Sequence, residues 1–505
     1  MRLLVVLLGS LTVSVTVGTA GAAPDGQLTW AVHTTLVPAY FDPAETFNVT
    51  SFMVLYGLQD ALVKPMPGKS LSPSLAESWS MSPDGLVYDF VLRKTARFHN
   101  GEPVTAEDVR FSFERYRGLY AKSLKERVAA VETPDPGRVR FRLKQPWPDF
   151  MTYYGTLATG ASWIVPKKYL DKVGEDGFKK APIGAGPYRF VSFTPGIELV
   201  LEAFDQYWRK PPVVKRLVFR VIPDPATRLA ALKRGEADIA FSMIGELAEE
   251  VRRVPGLALK PVYPSTHWLV FADQWDPKSP WADRRVRLAA NLAIDRRAIN
   301  QAETLGFSRI TASIIPQDFE LAWQAPLYPH DPKKAAQLLA EAGHPIGFDA
   351  GEIYCDGSYE NLAEAVANDL KAVGIQMKLR PLERAAFFTH LREKKLSHVI
   401  QIGSAAFGNA ATRLDAFVAA AGIYTYGTYP DIEGLVQEQA SGVGGKRETI
   451  LQKIQQLMHD KAMVAPIWEL AFLNGVGPRV AESGLGLIPG HAYSAPYEDL
   501  RLAPK

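Results

Sequence analysis

Between residues 75 and 115 the rhythm of apolar and polar positions changes from strand-like to helix-like. Leu86, Tyr88, Phe90 and Leu92 alternate with Val87, Asp89, Val91 and Arg93. A period of two predicts a strand with one face better buried than the other. Asp84-Gly85 before it and Asn100-Gly101 after it read as turns, because glycine accepts positive φ without a Cβ clash. Val109, Phe113 and Tyr116 then recur at i, i+4 and i+7, one face of a helix. Thr105 stands at the N-cap position, and Asp108 three residues on completes a capping box. This is core-building chain, and His99 within it reads as a structural hydrogen-bonder rather than a catalyst.

The same reading extends in both directions. Leu28, Trp30 and Val32 alternate as a strand, as do Val139, Phe141 and Leu143 against Arg138, Arg140, Arg142 and Lys144, which predicts a solvated basic face. Residues 217–221 read as a strand. Residues 226–234 read as a helix entered by Asp224-Pro225, an N-cap followed by a first-turn proline. Asp331-Pro332 begins a helix with Ala335, Leu338, Leu339 and Ala342 on one face, stopped by Gly343. Leu362, Val366, Leu370 and Val373 form another, stopped by Gly374. A strand at Ile375, Met377 and Leu379, a helix over 382–391 and a strand over 399–402 follow. Alternating helices and strands predict an α/β fold.

Residues 1–23 break the pattern. Arg2, an apolar run over 3–17 and Ala20-Gly21-Ala22 fit a secretory signal peptide. No later stretch reaches eighteen uninterrupted apolar residues, and no cysteine lies near the cleavage site, so a soluble, periplasmic protein without a lipid anchor is expected. Cys355 is the sole cysteine, which excludes an intrachain disulfide and a four-cysteine zinc site. About 480 residues remain, enough for more than one lobe. With 57 basic residues against 54 acidic and no large basic block, nucleic acid is not an expected partner. There is no Gly-x-Ser-x-Gly elbow and no His-Glu-x-x-His, and the nine histidines lack ligand-like spacing, so neither an enzyme nor a cofactor or metal is expected. Gly184-x-Gly186 lacks the third glycine and the following helix of a nucleotide loop. Asp238 has no identifiable catalytic partner and reads as turn-stabilising.

One run of residues carries a family resemblance. Leu75, Ala76, Ser78 and Trp79, then Ser82, Asp84, Gly85, Tyr88, Phe90, Leu92 and Arg93, then Phe98, His99, Gly101, Pro103, Ala106, Asp108 and Val109 resemble the signature of the family 5 extracellular solute-binding proteins. These are the receptors of ABC importers for peptides, nickel, opines and some saccharides. Ile183-Gly184-Ala185-Gly186-Pro187-Tyr188, Gly235-Glu236-Ala237-Asp238-Ile239, the run from Arg285 and Val286 to Asp295 and Arg296, and Asp331-Pro332 are similar to further family segments. The resemblance covers nearly the whole chain after the signal segment. It implies an α/β, two-lobed periplasmic-binding-protein fold with two interlobe crossings and an enlarged first lobe. The first lobe would comprise 24–268 with 472–505, and the second 269–471, with crossings at 268–271 and 466–477. A hinged monomer that docks on a membrane permease of an ABC importer is implied.

The resemblance also directs attention to the solute. In peptide-binding members the loop after the strand at 399–402 carries Gly-Trp-x-x-Asp, whose aspartate pairs with the peptide ammonium. Counting from Gly403, Ser404 replaces the tryptophan and Phe407 the aspartate, and Gln401 stands where some oligopeptide binders have arginine. A buried ammonium without a carboxylate is costly. Unless Asp415 or another acid takes over, a free peptide N-terminus loses its anchor, and Phe407 offers a stacking face instead, or packs within the second lobe. Asn409 and Arg413 are candidate polar contacts, the latter for a carboxylate or phosphate. Tyr424 and Tyr426, beside Tyr429, are candidate cleft aromatics, as are Trp268 and Trp468 at the crossings and Tyr40 and Phe41 in an early loop. Each is weighed against ordinary packing. A transport receptor for a small solute of the peptide or peptide-like class is the expected function. The alternatives are a ligand sensor or chaperone-like binder without transport and, with less support, a secreted hydrolase.

Overall fold

The computed structural model describes residues 25–46, 49–243, 245–405, 408–440 and 444–504. The expected signal segment and Phe407 lie outside the described residues. Among the described residues no helix is long and apolar enough to cross a membrane.

Alternation in Asp25–Val32 is absorbed by a central position in an eleven-stranded sheet, where Val214–Val221 and Ile239–Ala240 flank it in parallel. Tyr188–Thr194 and Glu198–Ala203 complete the first-lobe end of that sheet. Val399–Ala405, Phe348–Asp356 and Ile375–Leu382 form the second-lobe end. Two long antiparallel strands, Ala258–Phe271 and Val464–Val476, join the ends. Their register runs from Ala258 opposite Val476 to Val270 opposite Val464. It is broken by bulges between Val262 and Ser265 and between His267 and Trp268. Pairing with Val399–Ala405 in the second lobe begins at Ser265. The fold is α/β and two-lobed, with two crossings, and the crossings are continuous sheet rather than loops.

The first lobe is enlarged by a four-stranded antiparallel sheet, Ala76–Met81, Val87–Leu92, Arg138–Leu143 and Val128–Asp135, covered by the helix Ala106–Arg115. The capping box forms: Thr105 N donates to Asp108 Oδ2 at 2.9 Å, and Asp108 N to Thr105 Oγ1 at 3.4 Å. Tyr88, Phe90, Phe113, Phe141, Phe150 and Tyr154 pack beneath it. The basic face of Arg138–Leu143 is not simply solvated. Arg140 pairs with Asp89 at 2.7 Å and Arg142 with Glu132 at 2.6 Å, as cross-strand neighbours of opposite charge.

His99 clasps the turn at 184–186. Gly184 N donates to Nδ1 at 3.1 Å, which leaves Nε2–H to donate to Gly186 O at 3.0 Å. A Cβ on Gly184 would lie 1.9 Å from Leu58 O, so only glycine permits this approach. Asp238 Oδ2 accepts from Thr29 N at 2.8 Å and ties neighbouring strands together.

Candidate functional site

Between the lobes lies an open cavity of about 420 Å³, within the range of small-molecule sites. First-lobe walls come from the hairpin at Pro65, Gly68, Lys69 and Ser70, from Thr156 and Leu157, and from Ile488, Pro489 and Gly490. The hairpin turns at Gly68, with φ of 75°. Second-lobe walls come from Pro316, Asp318, Phe319 and Glu320, from Gly408, and from Glu469 on the crossing strand. Tyr263 lies at the bulge of the other crossing strand.

The second-lobe wall is acidic. Glu469 is buried, and burial raises its carboxyl above the usual range. Its Oε1 accepts from Gln317 N at 2.6 Å. Arg309 partly balances it, 3.5 Å from Glu469 Oε2 and 2.6 Å from Asp318, with its guanidinium 3.8 Å over the Tyr263 ring. Glu320 is exposed and has no ion pair among the described residues. Lys69 is the cation facing them from the first lobe.

Most of the residues singled out in the sequence lie elsewhere. Phe41 is fully buried, 5.7 Å from Phe190 and 5.2 Å from Phe193, so it belongs to the first-lobe core rather than the cleft wall. Tyr40, its neighbour in the turn Pro38–Phe41, is half-buried against the same core. Trp268 is buried edge-on to Phe417 at 5.1 Å, and Tyr424 stacks on Phe417 at 5.0 Å. Trp268, Tyr424 and Tyr426 line a separate hollow of about 20 Å³ inside the second lobe, roughly the room one water needs. Trp468 packs in the second-lobe core. Phe41, Trp268, Tyr424, Tyr426 and Trp468 thus do not line the cavity between the lobes. Strand alternation and local turns aim these rings into their own lobes.

Gly408, the first described residue after Phe407, lines the cavity. Asn409 is buried and caps the helix Ala410–Phe417, while its Nδ2 donates across the lobes to Asp149 and Thr152. Arg413 is buried among Trp268, Phe319 and Phe417, where desolvation lowers its pKa to about 10. Its Nη2 donates to Ala405 O at 2.8 Å, which braces the end of the strand Val399–Ala405. Asp318, Glu320 and Glu469 were not legible as site residues. The cue available was two acids flanking Phe319.

Comparison with known proteins places the chain. The family model described as bacterial extracellular solute-binding proteins, family 5 Middle, matches residues 70–425. Heme-binding protein A of Haemophilus influenzae is 27% identical over 496 residues, with 90% of this chain and 89% of that protein covered. The dipeptide-binding protein of Escherichia coli is 27% identical over 476 residues, with 84% and 85% covered. The crystal structure of the ABC transporter substrate-binding protein CtaP from Listeria monocytogenes superposes with a TM-score of 0.82 at 22% identity. It covers 95% of this chain and 100% of that one. The chain belongs to the family 5 bacterial extracellular solute-binding proteins.

Proposed function

We propose that the protein is a periplasmic, unanchored, monomeric receptor. It closes over a small solute in the 420 Å³ cavity and hands it unchanged to the permease of an ABC importer. The observation that carries this reading is the cavity itself, walled by both lobes, with the two shared strands behind it. A solute touching both lobes binds the closed state better and so favours closure. We divide the lobes at 24–268 with 472–505 and 269–471, with the pivot in the bulged stretch 263–268.

The acidic second-lobe wall suits a solute bearing an ammonium group, including a peptide N-terminus. Asp318, Glu320 and Glu469 supply the carboxylates that position 407 lacks. Heme and dipeptides are named for relatives of this chain, and the wall chemistry favours the amine-bearing class. Calorimetric titration with di- and tripeptides and their N-acetylated counterparts tests this. Free-amine peptides should bind and acetylated ones should lose at least tenfold in affinity. Equal binding of both forms would refute the ammonium assignment. Recovery of the bound peptide intact should show that it is carried rather than cleaved.

A further inference from the structure

The lobes also meet away from the shared strands, through side chains alone. Asp149 occupies the N-cap position of the first-lobe helix Phe150–Gly155, yet its carboxylate makes no capping bond to that helix. Both oxygens face the second lobe instead. Oδ1 accepts from Asn409 Nδ2 at 3.1 Å, and Oδ2 from Arg447 Nη2 at 2.5 Å. Asn409 Nδ2 also reaches Thr152 Oγ1 at 3.2 Å. Arg447 is steadied from behind, its Nε donating to Gln439 Oε1 at 3.1 Å.

Exposure decides how to weigh this contact. The Arg447 and Asp149 side chains retain 9% and 12% of their accessible surface, so the pair is not one of the solvated surface bridges that contribute little. A mostly desolvated pair persists when its hydrogen bonds are well made, and charge-assisted bonds to both carboxylate oxygens meet that condition. Forgoing the local cap is itself unfavourable, so the carboxylate serves the interlobe contact at the expense of its own helix.

The contact also connects to the cavity on both sides. Thr156, a first-lobe wall, donates through Oγ1 to Thr152 O at 2.5 Å. Gly408, a second-lobe wall, precedes Asn409 in the chain. Whatever aligns Asp149 with Asn409 therefore also sets the spacing of residues 156 and 408.

We propose that Asp149 is a positioning residue. It clasps the lobes in the closed arrangement through Asn409 and Arg447, adding to the closure that solute favours, and by holding both cavity walls it governs how tightly solute is kept. The second half rests on the cavity being the solute site, whereas the first half does not.

The test is small-angle scattering on the full-length mature protein without solute. It compares wild type with Asp149→Ala, Asp149→Asn, Asp149→Glu, Arg447→Ala and the Asp149→Ala/Arg447→Ala double variant. Wild type should populate the compact form more than the variants that lose the contact. The Ala and Asn variants should shift to a larger radius of gyration with an unchanged far-UV circular dichroism spectrum. The double variant should open no further than Asp149→Ala alone, because that substitution already removes the Arg447 contact. Asp149→Glu, which restores the charge, should recover compactness. A wild type already as open as Asp149→Ala, or variants as compact as wild type, would overturn the clasp. In a second arm Asp149→Asn should hold an amine-bearing dipeptide about tenfold more weakly than wild type. Unchanged affinity would refute the role in solute retention. Failure of wild type itself to bind any peptide would refute the cavity assignment while leaving the scattering result standing.

Discussion

Along Ala258–Phe271 and Val464–Val476 the lobes are joined by main chain, in a ladder of hydrogen bonds broken at two bulges. Around Asp149 they are joined by the ends of side chains from one helix and two neighbouring elements. The ladder cannot release without breaking the sheet, so the bulges are where bending concentrates, since each leaves a residue out of the pairing. The side-chain contact can release at the cost of a few polar bonds that water replaces. One junction therefore preserves the protein's identity through every opening, and the other sets how often it opens.

Substitutions can separate these roles. The largest effect is expected from Trp268→Ala beside the ladder, where a fully buried ring packs against Phe417. Loss of about 3–5 kcal/mol of stability in denaturant titration is expected, with the solute-free radius of gyration unchanged. Opening without destabilisation would erase the distinction between the junctions.

The ladder also contains His267, fully buried, with Nδ1 near Gln401 Nε2 at 3.0 Å and Nε2 near Ser265 Oγ at 3.1 Å. Burial lowers its pKa to about 3. The unfolded chain therefore binds a proton near pH 6.5 that the folded chain refuses, and stability falls as pH drops from 6.5 toward 3. His491, equally buried and also held near 3, adds to the slope. Thermal unfolding between pH 7 and 5 should show wild type losing up to about 1.4 kcal/mol per pH unit more than His267→Gln below pH 6.5. Parallel slopes would mean that the imidazole is free to take up its proton in the fold.

The smallest effect belongs to Tyr153→Phe. Tyr153 OH donates to Asp415 Oδ2 at 3.4 Å, a long bond to an exposed residue beside the clasp. A change below about 1 kcal/mol in the closure equilibrium is expected, read as a slight expansion by scattering. Expansion as large as that of Asp149→Ala would move the centre of the clasp to Tyr153.

Local chemistry was readable in the sequence where a short stretch determines its own outcome. The Thr105–Asp108 box, the Asp224 cap and the Gly374 stop all form because each depends on residues three or four apart. The site was not readable, because its walls come from the hairpin near Gly68, from Thr156, from 316–320, from Gly408 and from 488–490, which only the folded chain brings together. Aromatic residues near the crossings looked like cleft walls. Yet Trp268 follows a bulge and faces the second-lobe interior. Nothing in the sequence around Asp149 reveals that its partners lie some 260 and 298 residues away.

The shared strands have a further consequence. Ala258–Phe271 and Val464–Val476 each contribute pairing to both ends of one sheet. Neither lobe can melt without stripping the other of an interior neighbour and exposing an unpaired edge. A receptor that bends repeatedly between two shapes is in this way bound to a single fate when it unfolds.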